Sequence, residues 1–144
     1  MAFGTADKSK PYVPLAGLVG DGWSKDGKAT ATCYYGTVLL IIQFIVKNLY
    51  SKHARGKDRI KTFSQSQTIA SGKVITNYFC EDYGTLMYRA GEGFAGVSTL
   101  RISTVDGFSL HETRLRLRQE YWTKYRVYWF TGVQGVEENF EAQG

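Results

Sequence analysis

Hydrophobic and polar positions along the chain sort into short alternating runs separated by glycines. Lys28–Tyr35 alternates small residues with threonine before two tyrosines, which predicts a strand ended by Gly36. From Arg59 onward the pattern is that of sheet. Lys73–Cys80, Thr85–Arg89 and Val97–Val105 are short runs, separated by Asp82-Tyr83-Gly84 and by Gly91-Glu92-Gly93 with Gly96. A last aromatic strand is expected over Lys124–Thr131.

The segment 37–55 carries two competing patterns. Its many β-branched residues suit a buried strand. However, nineteen residues without a turn signal are long for a strand, and Gln43, Lys47 and Ser51 recur every four residues. Thr37 can serve as an N-cap, Lys52, His53 and Arg55 suit a last helical turn, and Gly56 suits the residue after it. The balance predicts a helix over 37–55.

Val105-Asp106-Gly107-Phe108 is the sharpest local signal, because Asp-Gly is a favoured pair for a two-residue hairpin turn. That turn predicts a hairpin over 97–118 with Arg101 opposite Glu112 and Ile102 opposite His111. Leu100, Ile102, Leu115 and Leu117 then share an inward face, and Arg101, Glu112, Arg114 and Arg116 an outward one.

Together these elements predict a mainly β fold: an antiparallel β-sandwich or open barrel with one α-helix near 37–55. At 144 residues a single domain is expected, with an N-terminal arm (1–27), a β-rich core (28–131) and an acidic tail (132–144). Aromatic residues make up 15% of the chain, which favours sheet or an aromatic-rich interface.

The formal net charge is +5, but Glu137, Glu138 and Glu141 stand alone in the last fourteen residues, so the body is more basic than the total. Two groups of cations follow. Lys47, Lys52, Arg55, Lys57, Arg59 and Lys61 cluster around the end of the expected helix. Arg114, Arg116, Arg118, Lys124 and Arg126 interleave with Trp122 and Tyr128. Cations beside aromatic rings on one sheet face are what a single-stranded nucleic-acid platform uses, while the simpler reading is a solvated face that resists edge pairing.

Catalytic patterns are missing from the sequence: no GxSxG, no paired carboxylates at a defined spacing, and no phosphate loop around Gly91-Glu92-Gly93. His111 is expected inward as a satisfied structural histidine. Two cysteines, Cys33 and Cys80, are too few for a disulfide scaffold and are expected as buried free thiols. With two histidines besides, neither a metal site nor a cofactor is expected. The first residues lack the charged-then-apolar pattern of a signal peptide, so synthesis in the cytoplasm is expected, with a virus particle as one destination.

These features point to a non-enzymatic, self-assembling structural protein, such as a virion coat, tail or fibre subunit, forming homo-oligomers. Trp23 in the arm and Phe140 among the glutamates are the expected anchors of contacts between copies, with the acidic tail docking on the Lys47–Lys61 patch of a neighbour. The alternatives are a domain binding single-stranded nucleic acid or another anionic ligand, and a carbohydrate-binding module whose exposed Trp and Tyr stack on sugars.

Overall fold

The computed structural model describes residues 24–25, 27–45 and 48–138. Among the described residues, ten strands follow in chain order: β1 (Ser24–Lys25), β2 (Lys28–Thr32), β3 (Leu39–Ile45), β4 (Asn48–Arg55), β5 (Ile60–Gln65), β6 (Ile75–Cys80), β7 (Leu86–Gly91), β8 (Ser98–Leu100), β9 (Gln119–Glu120) and β10 (Glu137–Glu138). Two four-stranded antiparallel meanders, β1-β2-β3-β4 and β5-β6-β7-β8, hold most of them. β9 and β10 form a separate two-residue parallel ladder. The protein is mainly β, and its two meanders pack in a sandwich-like manner.

The expected helix over 37–55 is instead the β3–β4 hairpin, with Ile45 opposite Asn48 and Leu40 opposite His53. Burial explains the correction. Ala29, Ala31, Leu40 and Ile42 share the inner face of this sheet and are fully or almost fully buried. Leu39 is also buried although it points the other way, so the first half of β3 is apolar on both faces and reads as a run, Leu39–Ile42, that Gln43 interrupts.

The hairpin over 97–118 does not form either. β8 pairs with β7 instead, with Leu100 opposite Tyr88, and residues 102–104 and 108–112 are 3-10 turns. Gly107 has φ −73°, which is not the left-handed conformation of a two-residue hairpin turn. Val105 makes an antiparallel bridge to Ala31, and the Asp106 amide donates to the Thr30 carbonyl at 2.9 Å, so this segment covers an edge of β2. Asp106 is buried, and its Oδ2 accepts from the hydroxyls of Thr30 (2.7 Å) and Thr32 (2.5 Å). A carboxylate satisfied in this way outweighs the local turn preference. The strand expected over 124–131 is absent too: 123–125 is a 3-10 turn and no ladder follows until β10.

The core is a single cluster of Ala29, Ala31, Cys33, Val38, Leu40 and Ile42 from the first sheet, Cys80 and Met87 from the second, and Val105 and Leu110. Burying each of the larger aliphatic side chains contributes about 1.5–3 kcal/mol. Met87 reaches this cluster because a bulge interrupts the β6–β7 register between Tyr78 and Phe79. Cys33 and Cys80 are buried free thiols, as expected. His111 is half-buried, with its Nε2 3.2 Å from the Val105 carbonyl. Among the described residues, no helix is long and apolar enough to cross a membrane.

Candidate functional site

Strand register brings three connections to one end of the molecule. Thr32 pairs with Leu39, Leu39 with Arg55, and Ile60 with Cys80. Since only residues 56–59 separate β4 from β5, the β2–β3 turn (33–38), the β4–β5 link (56–59) and the β6–β7 turn (81–85) must lie together. Loops fixed on a rigid sheet framework are where binding groups are most often displayed.

These connections interlock through backbone as well as side chains. Gly56 has φ +71°, and a Cβ there would lie 2.2 Å from the Thr37 carbonyl oxygen, so only glycine fits. Arg55 donates twice to the Gly36 carbonyl, from Nε at 3.1 Å and Nη2 at 2.7 Å. The Glu81 amide donates to the Arg59 carbonyl at 3.0 Å, and the Tyr34 amide to the Thr85 hydroxyl at 3.3 Å. Arg59 forms ion pairs with Glu81 and Asp82, and Lys61 with Glu81. The Thr37 hydroxyl, followed by the Arg59 guanidinium, holds the Asp82 carboxyl below the usual carboxylate range.

On this frame stand three tyrosines. Tyr34 and Tyr83 stack with centroids 4.5 Å apart and planes at 21°. Tyr35 meets both edge-on, at 5.7 Å from Tyr34 and 5.6 Å from Tyr83. The three are 39%, 48% and 60% exposed for Tyr34, Tyr35 and Tyr83, so the cluster is a preformed ledge rather than part of the core.

The cations singled out from sequence do not form one sheet face. Lys52 is exposed on β4 and Lys57 in the following link. Arg55, Arg59 and Lys61 are engaged by the loop end. Arg114, Arg116 and Arg118 are exposed in a stretch without strand pairing until β9. The Lys124 ammonium sits 5.0 Å from the Tyr125 ring centroid and 5.9 Å from that of Trp122. Arg126 is drawn into the fold, bonding both Glu120 oxygens (3.1 and 3.0 Å) and pairing with Glu138 at 3.2 Å. The Glu137 carboxylate accepts from Gln119 at 3.1 Å, so both described tail glutamates are used within their own chain. Trp23, Lys47 and Phe140 lie outside the described residues.

Sequence reasoning missed the tyrosine ledge. Its signal was present as two matching turns, Tyr35-Gly36 and Tyr83-Gly84, both with left-handed glycines. Among the described residues, no group of three or more His, Cys, Asp or Glu is placed to hold a metal ion. Comparison of the chain with protein-family models, with curated proteins and with solved structures returns no match.

Proposed function

We propose that this chain is a self-assembling structural subunit, of the kind that builds virus coats, tails or fibres. The observation that carries this reading is the run from Tyr125 to Trp129. Tyr125, Val127, Tyr128 and Trp129 are 69%, 49%, 97% and 71% exposed, and Leu117, Tyr121, Trp122 and Val133 are exposed around them in sequence. An isolated soluble chain rarely leaves so much large apolar surface in water. Tyr and Trp are also the side chains that anchor contacts between protein surfaces. Trp122 adds to this, since it holds φ +62°, a left-handed conformation that costs a non-glycine residue about 1–2 kcal/mol. A second copy that buries these rings supplies the stabilisation they lack in the isolated chain.

The test is the mass of the full-length protein in solution against its 16.2 kDa monomer. Sedimentation should give a multiple of that mass, reduced in Tyr128→Ser with Trp129→Ser. A monomer at high micromolar concentration, in both low and moderate salt, overturns the proposal.

A second reading, a single-stranded nucleic-acid binder, is favoured by one arrangement: Lys124 over the Trp122 and Tyr125 rings. Its affinity should fall steeply with salt and be lost in Arg116→Glu with Arg118→Glu. Retention on an oligonucleotide column that does not change between about 50 and 500 mM salt removes it.

A further inference from the structure

We propose that the ledge formed by Tyr34, Tyr35 and Tyr83 binds a neutral saccharide. Three observations carry the assignment. The ledge is rigid, because its loops are tied by the Gly56–Thr37 packing, the Arg55–Gly36 bonds and the Arg59–Asp82 pair. Little ordering entropy is therefore lost on binding. The rings touch one another by stacking and edge contacts at 4.5–5.7 Å, which leaves no slot between them of the kind a proline side chain fills. A continuous aromatic surface instead matches the flat C–H face of a sugar ring, with phenol hydroxyls to meet its rim.

Charge decides against a phosphate ligand. Across residues 55–61 and 81–85, the cations Arg55, Lys57, Arg59 and Lys61 face the acids Asp58, Glu81 and Asp82, a net of only +1. Arg59 is also committed to Glu81 and Asp82. Such paired ions exert little pull on an anion, while their fixed donors and acceptors suit hydroxyl groups. This site and the exposed 117–133 segment are argued from different residues, and the two proposals fail separately.

The test is retention of the full-length protein on immobilised neutral oligosaccharides of gluco, manno, galacto and N-acetylglucosamine configuration, beside oligothymidine and polyproline. The expected result is retention on at least one saccharide, persisting at about 500 mM salt where screening removes electrostatic binding. Tyr83→Ala should weaken it by about tenfold or more, and Tyr83→Phe by less. Phe94→Ala, an exposed ring outside both the ledge and the 117–133 segment, should leave retention unchanged. If Tyr83→Ala loses its cooperative unfolding transition, Tyr35→Ala, whose ring makes only edge contacts, is read in its place. Retention on no saccharide overturns the proposal. So does salt-sensitive retention on oligothymidine or retention on polyproline alone, or an equal loss in Phe94→Ala.

Discussion

His53 of β4 and Tyr88 of β7 meet across the two sheets, with the imidazole Nε2 3.0 Å from the phenol oxygen. Their rings cross at 67° with centroids 5.8 Å apart, and Tyr88 in turn stacks on Tyr78 at 4.5 Å. His53 follows Leu40 across the β3–β4 register, so the same inner face that buries aliphatic side chains also carries this polar contact. Its other ring nitrogen, Nδ1, is buried without a hydrogen-bond partner. Burial first, and the Lys57 charge second, lower the His53 pKa below 6.5.

A pH dependence follows. The unfolded chain takes up a proton on His53 near pH 6.5, whereas the folded chain resists it until a lower pH. This contribution to stability is thus intact above 6.5 and is lost as pH falls toward the folded-state value. Urea midpoints should drop between about pH 7.5 and 5, and the drop should shrink in His53→Gln. An identical drop in both proteins would assign the effect to other groups.

Asp106 separates a local reading of its sequence from the tertiary one. In a hairpin turn, Asp106→Asn is conservative, since Asn-Gly serves that turn as well as Asp-Gly. With Oδ2 buried against the hydroxyls of Thr30 and Thr32, the same change replaces charge-assisted bonds by weaker ones. Asp106→Asn should therefore cost measurable stability, and Asp106→Ala about 2–4 kcal/mol, by removing the acceptor that the buried Thr30 and Thr32 hydroxyls share. A neutral Asp106→Asn in urea unfolding contradicts the buried arrangement.

These residues also mark where sequence reading succeeds and where it stops. β2, β6 and β7 were legible because threonine, tyrosine and β-branched residues run between turn glycines such as Gly36 and Gly84. The β3–β4 hairpin was not, because its strands meet without a turn signature and the first half of β3 is apolar on both faces. The spacing of Gln43 and Ser51 then imitates a helix. Gly56 was read as the residue that follows a helix, whereas it holds a left-handed turn between β4 and β5. Asp106 was misread because its partners lie more than seventy residues away. The aromatic ledge needed one further fact, that the β4–β5 link brings the turns of two separate sheets to the same end.

Gly56 tests how tightly that end is locked. Gly56 and Gly84 both hold left-handed φ, +71° and +74°, but a Cβ meets nothing within 4 Å at Gly84 and the Thr37 carbonyl at Gly56. Gly84→Ala should cost about 1 kcal/mol, the backbone penalty alone. Gly56→Ala should cost clearly more, because the Thr37–Val38 backbone must move. Equal midpoint shifts in thermal or urea unfolding would mean that the β2–β3 turn yields easily, and that the ledge is less preorganised than its hydrogen bonds imply.

Arg126 is the last test, because it holds the exposed aromatic segment to the fold. Its guanidinium bonds both oxygens of Glu120 and pairs with Glu138, while the parallel ladder sets Glu137 opposite Gln119. It also lies against Gly132, where an added Cβ would stand 2.9 Å from the Arg126 Cζ, so residues 119–120, 132 and 137–138 converge on one side chain. Glu120 foremost, by hydrogen bonding, raises the Arg126 pKa, so the guanidinium stays charged. Lysine keeps the charge but not the two-pronged geometry, and Arg126→Lys should therefore behave more like Arg126→Ala than like wild type. Hydrogen exchange should show the Glu137 amide, which donates to the Arg118 carbonyl at 3.0 Å, losing protection in both variants while β3 and β6 keep theirs. The same variants should lower the mass of the assembly, because Tyr125, Tyr128 and Trp129 would no longer be presented in one arrangement. Unchanged exchange at Glu137 would show that the segment is held by other contacts. Unchanged mass despite faster exchange would place the contact between copies elsewhere.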